Sequence, residues 1–255
     1  MAMVDPSVAS TDLGGPGGSS RVRALVVDDE PALMRVVAAY LAREGFDVTT
    51  AADGREALDR AREVRPDVVV LDVMMPGVDG IEVCRQLRTF SDAYVIMLTA
   101  RAEEIDTLVG LSVGADDYMT KPFSSRVLVA RIRSLLRRPR HGSGLAVGAD
   151  GSDTSVTRRF GDLTIDPEAR EVRLRDRLVS LTRTEFDLLE ALSSRPRAAF
   201  TRTQLVERVW GPGWFGDERL VDLHLGHVRR KLGDDHTEGQ YVRTVRGVGY
   251  RMGPG

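Results

Sequence analysis

The sequence predicts an α/β domain, a five-stranded doubly wound parallel sheet, followed by a second, smaller α+β domain. Three observations carry this reading. In the first half, short β-branched-rich runs alternate with segments of helical apolar period, the pattern of buried parallel strands joined by crossover helices. Near residue 139 periodicity gives way to Gly, Ser and Asp. Beyond it, period-two alternation precedes three short helical stretches and a final hairpin pattern.

Taken in order, residues 1–20 are Gly-, Ser- and Pro-rich and read as a disordered tail. Residues 21–138 hold strands expected near 23–28, 46–50, 67–72, 94–98 and 116–119. In the first helix Leu33, Val36, Val37, Tyr40 and Leu41 fall at i, i+3, i+4, i+7 and i+8. In the last one Leu128, Ile132, Leu135 and Leu136 repeat the pattern until Arg138-Pro139 stops it. Residues 139–156 read as a flexible linker. In 157–255, Leu163, Ile165, Val172, Leu174, Leu178 and Leu181 alternate with polar residues around an Asp166-Pro167 turn. Helices are expected near 182–193, 202–210 and 218–232, then a hairpin turning at Gly247-Val248-Gly249. Sheet, helices and hairpin in that order suit a winged helix.

Two modest cores fit in 255 residues. No apolar run approaches a membrane span, and the start lacks the basic and apolar regions of a secretory signal. The single cysteine, Cys84, shares a helical face with Ile81 and Leu87 and reads as core, which suits a reducing cytoplasm. The net charge of −2 hides an asymmetry: residues 21–138 carry 17 basic and 19 acidic side chains, and 157–255 carry 18 and 15. Only the second domain has the sign to meet a polyanion.

The strand ends carry chemistry. The first apolar run ends in Asp28-Asp29, the third in Asp72, the fourth in Thr99, and the fifth in Lys121, one of only two lysines in the chain. Ligands of parallel sheets bind outside the carboxyl ends of the strands. Taken singly, Asp29 reads as a helix cap, Thr99 as structural and Lys121 as a solvated cation. Together they are a phosphoryl-transfer site: converging carboxylates repel one another, and a hard divalent cation such as Mg²⁺ relieves that repulsion.

Here the chain resembles a family. VVDDE at 26–30, LDVMMPGVDG at 71–80, LTA at 98–100 and GADDYMTKPF at 114–123 are similar to the receiver domain of bacterial response regulators, a flavodoxin-like fold. The resemblance implies that a sensor histidine kinase phosphorylates Asp72. It implies that Asp28, Asp29, Asp72 and the backbone carbonyl of Met74 serve Mg²⁺, and that Lys121-Pro122 is cis. Thr99 and Tyr118 would form the switch. Dimerisation on phosphorylation would use Asp116, Asp117, Arg131 and Arg133 on the face of the fourth helix, fifth strand and fifth helix. Thr107 and Val127 stand where relatives carry a charged pair.

In the second domain Val221, Leu225, Val228 and Leu232 form a buried stripe, which leaves Arg219, Leu223, Gly226, His227 and Arg230 on the opposite face. A basic outer face after a short turn is what a major-groove reader needs. LTRTEFDLLEAL at 181–192, TRTQLVERVW at 201–210, DERLVDLHLGHVRRKLG at 217–233 and VRTVRGVGYRM at 242–252 resemble the winged-helix output domain of OmpR/PhoB-type regulators. The expected DNA-contacting set is Arg219, Leu223, His224, His227, Arg229, Arg230, Thr244, Arg246 and Tyr250. His227 and Gly226 depart from the basic residues of many relatives. The resemblance assigns the loop from Trp210 to Phe215 to RNA polymerase, with Trp210 in the core and Trp214 and Phe215 exposed.

The expected function is a cytoplasmic two-component transcription regulator, not an enzyme, that reads tandem half-sites of double-stranded DNA as a homodimer. The rivals are a metal-dependent phosphatase using Asp72 as nucleophile and a phosphorylation-independent regulator. The first needs an acid two residues after Asp72, where Met74 stands.

Overall fold

The computed structural model describes residues 21–100, 114–137, 157–214, 216–234 and 239–255. The expected tail 1–20 and linker 139–156 lie outside these residues, as do Thr107, Phe215 and the fourth crossover of the first domain.

Strands β1 (Arg23–Val27), β2 (Asp47–Ala51), β3 (Val68–Asp72), β4 (Tyr94–Thr99) and β5 (Asp117–Thr120) form one sheet in the order β2-β1-β3-β4-β5. Every neighbouring pair is parallel. Among them run α1 (Pro31–Arg43), α2 (Gly54–Val64), α3 (Gly80–Leu87) and α4 (Ser125–Leu136). β3 and β4 are buried along their whole length, which is why they read as unbroken apolar runs. The chain leaves β1 toward β2 on one side and β3 on the other. That switch point opens a crevice beyond the carboxyl ends of the strands.

Local chemistry fixes the helix starts around this crevice. Asp53 and Asp79 accept the amides of Glu56 and Glu82, and Glu56 reaches back to the Ala52 amide. A Cβ on Gly80 would lie 2.0 Å from the Asp72 carbonyl oxygen, so only glycine lets α3 begin against the end of β3.

In the second domain β6 (Arg158–Phe160), β7 (Leu163–Asp166), β8 (Glu171–Leu174) and β9 (Arg177–Leu178) form an antiparallel sheet. There follow α5 (Arg183–Ser194), β10 (Phe200–Thr201), α6 (Arg202–Val209), α7 (Arg219–Leu232) and the hairpin β11 (Val242–Val245) and β12 (Gly249–Met252). Reciprocal capping boxes start α5 at Thr182 and Glu185, and α6 at Thr201 and Gln204. β10 was absent from the sequence expectation. Two residues carry no period, yet Phe200 and Thr201 pair with Tyr250 and Gly249 and tie the hairpin to the helices.

The two domains touch. Arg183, in the first turn of α5, bonds Asp92 through Nε at 2.9 Å and Nη2 at 2.6 Å, and its guanidinium lies over the Tyr94 ring. The Thr184 hydroxyl donates to Asp116 Oδ1 at 2.6 Å. Arg131 on α4 lies over the Trp214 ring. The second domain therefore rests on the amino ends of β4 and β5. From Asp116 to Lys121, at the crevice, is five residues of strand, about 16 Å.

Candidate functional site

Sheet register gathers the predicted residues at one edge. Asp72 closes β3 opposite Leu98, Thr99 closes β4 opposite Thr120, and Asp28 and Lys121 follow directly on β1 and β5. One oxygen each of Asp28, Asp29 and Asp72 lie within 4.8 Å of one another. Lys121 Nζ stands between two of them, 2.8 Å from Asp28 Oδ2 and 3.0 Å from Asp72 Oδ1. The other Asp28 oxygen accepts the Glu30 amide at 2.8 Å. Asp29 is exposed and is no cap: Glu30 holds the N-cap position of α1, and no side chain caps it. Thr99 is fully buried, while the Met74 side chain stands outward beside the site, 63% exposed.

Burial raises the Asp72 carboxyl above its ordinary range, and the charges of Asp28 and Asp29 add to this against the opposing pull of Lys121. For Lys121 burial acts downward, but hydrogen bonds to Asp28 and Asp72 outweigh it and hold the ammonium above its usual range. One ammonium thus faces three carboxylates. An all-oxygen donor set with Asp29 open to solvent fits a hard divalent cation.

Behind the site Tyr118 is turned inward, 5% exposed, and burial pushes its phenol well up, so it stays neutral. The Lys121-Pro122 peptide is cis. The expected dimer residues have intrachain partners in this arrangement. Asp116 is buried and accepts Arg88, the Val95 amide and Thr184. Asp117 is buried against Arg131 Nη1 at 2.9 Å and the Tyr118 amide, and Arg133 pairs with Glu44. All four have partners within the chain: Asp117 with Arg131 and Arg133 with Glu44 pair inside the first domain, while Asp116 and Arg131 also meet the second domain at Thr184 and Trp214.

The outer face of α7 also departs from expectation. Arg219 and Arg230 are exposed, but Leu223, His224 and His227 are buried. With Leu220 they make a second apolar stripe, beside the one that Val221, Leu225, Val228 and Leu232 form. At His224 the neighbours are Trp210, with ring centroids 5.8 Å apart, and the charge of Asp116 from the first domain. Burial pushes His224 down to about 4, against the pull of Asp116 and Glu185. Helical period alone shows which face meets the helix's own core. It is blind to a second domain.

Three further contacts expected with DNA have partners within the chain; Arg229 and Tyr250 are buried and Thr244 is exposed. Arg229 is buried and gives Nε and Nη2 to the Val242 carbonyl, and Nη2 also to the Thr244 hydroxyl. The Tyr250 hydroxyl donates to Asp222 at 2.7 Å. Arg229, Thr244 and Tyr250 thus bind the hairpin to α7. Arg246 stands exposed at the hairpin tip. Trp210 is fully buried as expected, but Trp214 is half-buried, 5.4 Å from the Trp210 ring, rather than exposed.

Sequence reasoning passed over Glu185. It is buried, 2.6 Å from Lys231 Nζ and 3.5 Å from His227 Nδ1. Burial would raise its carboxyl, but His227 and Lys231 prevail and hold it at about 2. The capping box at Thr182 and the second lysine were the available signals.

A parallel sheet with an acidic crevice and an opposed lysine, joined to a winged helix, defines the response regulators. The chain belongs to the OmpR/PhoB-type response regulators of two-component systems. The "Response regulator receiver domain" family matches residues 24–133, and "Transcriptional regulatory protein, C terminal" matches 176–252. The chain is 45% identical over 236 residues to the transcriptional regulatory protein CseB of Streptomyces coelicolor, covering 92% of this chain and 99% of that protein. It is 45% identical over 234 residues to the DNA-binding response regulator MtrA of Mycolicibacterium smegmatis, covering 92% and 98%. A solved structure of a RitR mutant, 28% identical, superposes over 92% of this chain and all of its own with a TM-score of 0.72. No helix among the described residues is long and apolar enough to cross a membrane.

Proposed function

We propose that the chain is a phosphorylation-gated transcription regulator: a sensor histidine kinase phosphorylates Asp72, and the gain is release of α7 to read DNA. The observation that carries this is Lys121 Nζ poised between Asp28 and Asp72 at the switch point of the sheet. An Asp72 oxygen attacks phosphorus in line as the donor's leaving group departs with the bonding electron pair. Lys121 exchanges its Asp72 oxygen for a phosphoryl oxygen, and the Thr99 hydroxyl donates to another. Bound Mg²⁺, held by Asp28, Asp29, Asp72 and the Met74 carbonyl, supplies neutralisation of phosphoryl charge.

Thr99 and Lys121 end the strands whose starts hold the second domain. Drawing both inward shifts β4 and β5, carries Tyr118 with them, and loosens Thr184 and Arg183 from Asp116 and Asp92. The freed helix offers Arg219, Leu223, His224, His227 and Arg230 to the major groove, with Arg246 at the minor groove. Release also uncovers Asp116 and Arg131, now covered by Thr184 and Trp214, for a homodimer on tandem half-sites, and exposes Trp214 for RNA polymerase. The protein works in the cytoplasm. A phosphatase reading is disfavoured by Met74, apolar where turnover needs an acid.

Incubation with a small phosphodonor and Mg²⁺ tests the site. One acid-stable, base-labile phosphoryl group per chain is expected, abolished by Asp72→Asn or by EDTA. Equal labelling of Asp72→Asn would overturn the assignment.

A further inference from the structure

A hollow of about 560 Å³ lies between the two domains, beside the contact of Arg183 with Asp92. That is within the range of about 300–1,000 Å³ usual for small-molecule sites. Arg85, Arg88, Phe90 and Asp92 line it from the end of α3 and the turn that follows, and Leu181 and Lys231 line it from the second domain. The cations front the hollow and their acids stand behind. Arg85, Arg88 and Lys231 pair with Glu82, Asp116 and Glu185, and none of those three acids is in the wall. Asp92 is the one carboxylate there among the described residues, and Arg183 holds it through two nitrogens. Lys231 gives Glu185 one of its three donors, and Arg88 spends one bond from each nitrogen on Gly114, Ala93 and Asp116. Two N–H groups on each side chain are left over. The same wall is apolar. Phe90 is 40% exposed, more than any other described Phe, Tyr or Trp, with Arg62 over its ring at 4.6 Å. An open ring beside cations with donors to spare fits a molecule with an anionic end and a flat apolar body.

We infer that this hollow binds a small aromatic carboxylate, and that the ligand clamps the closed arrangement. A carboxylate is favoured over a phosphoryl group because each cation already has an acidic partner, so the wall can meet one added charge but not two. Both domains supply the wall, so opening strips the ligand of part of its contacts and it binds the closed form better. On the proposed function, on which the clamping rests, such a ligand opposes the phosphate on Asp72. By linkage, phosphorylation weakens ligand binding by the same factor. The chain then answers two inputs, a covalent one at the crevice and a dissolved one between the domains.

The test titrates benzoate into full-length Asp72→Asn by calorimetry, with benzamide as its uncharged counterpart and phenylphosphonate as its doubly charged one. One benzoate per chain is expected, with a Kd of about a millimolar, and benzamide should bind about tenfold more weakly. Arg85→Gln and Phe90→Ala should each weaken benzoate about three- to tenfold, and neither should change labelling of Asp72 in the otherwise wild-type chain. Arg177→Gln, on the exposed edge of the four-stranded sheet, should leave benzoate binding unchanged. At constant ionic strength and benzoate about tenfold above its Kd, specific DNA binding by phosphorylated wild-type protein should weaken by about tenfold. No benzoate binding, equal binding of benzamide, tighter binding of phenylphosphonate, or an affinity that neither variant moves would overturn the inference. Benzoate binding that depends on Arg85 and Phe90 but is equal in phosphorylated and unphosphorylated protein upholds the site and overturns the gating account.

Discussion

The crevice at the carboxyl ends of β1, β3, β4 and β5 and the surface of α7 were both foreseen as sites, and they teach different lessons. The crevice is made by one sheet within one domain. Its residues come from strand ends, and parallel register brings Asp28, Asp72, Thr99 and Lys121 together whatever else the chain does. The surface of α7 is shared between two domains. Its own domain claims one stripe, and beside it His224 lies against Asp116 of the first domain; on the proposed function these side chains have one environment closed and another open. The first site is constitutive and the second conditional, which is the division a switch needs.

The largest effect on this contrast should come from the buried Thr184–Asp116 hydrogen bond. Thr184→Val keeps the shape but leaves an Asp116 oxygen buried without its donor, a loss of about 1–3 kcal/mol. Opening without phosphorylation should rise about 5- to 150-fold, read as tighter binding of the unphosphorylated protein to its specific DNA site. Labelling of Asp72 should not change. A variant that binds no better would mean that this contact does not restrain α7.

Acid should open the closed arrangement by a smaller factor. His224 has an ordinary pKa near 6.5 when exposed and is held down at about 4 when covered, facing Asp116, Glu185 and His227. Above pH 6.5 it is neutral in both states and closure keeps its full strength. Below 6.5 only the open state takes the proton readily, so closure weakens as pH falls toward 4, by about tenfold at pH 5.5. Energy transfer between labels on the two domains at pH 7.5 and 5.5 checks this. His224→Asn should flatten the profile, and an equally steep profile in that variant would assign the effect to another group.

The smallest difference separates Arg229 from Arg230, neighbours with opposite roles. Arg229→Ala removes the buried clamp on Val242 and Thr244 and should destabilise the second domain by about 1.5–3 kcal/mol, seen as a lower Tm. Arg230→Ala should leave Tm unchanged and lower the salt slope of specific binding by about one unit. Similar Tm shifts in both would contradict the division between them.

What sequence conveyed follows from range. The five strands and their terminal residues were legible because each buried run announces itself locally and the parallel topology does the rest. Asp29 misled when taken alone as a cap, since Glu30 holds that position. β10 escaped because two residues have no period, and Arg229 because a basic residue near a helix end looks alike whether it meets phosphate or a carbonyl. The burial of His224 and Asp116 depends on contact between segments about 70–110 residues apart, and no local pattern encodes it.

The central claim is that phosphate on Asp72 uncovers α7. Amide hydrogen exchange across residues 220–228, in the full chain with and without a phosphodonor and Mg²⁺, measures this directly. The account predicts faster exchange in this segment on phosphorylation, unchanged protection in the core strands β1 and β3, and no response in Asp72→Asn. Undiminished protection of residues 220–228 in fully phosphorylated protein would contradict it.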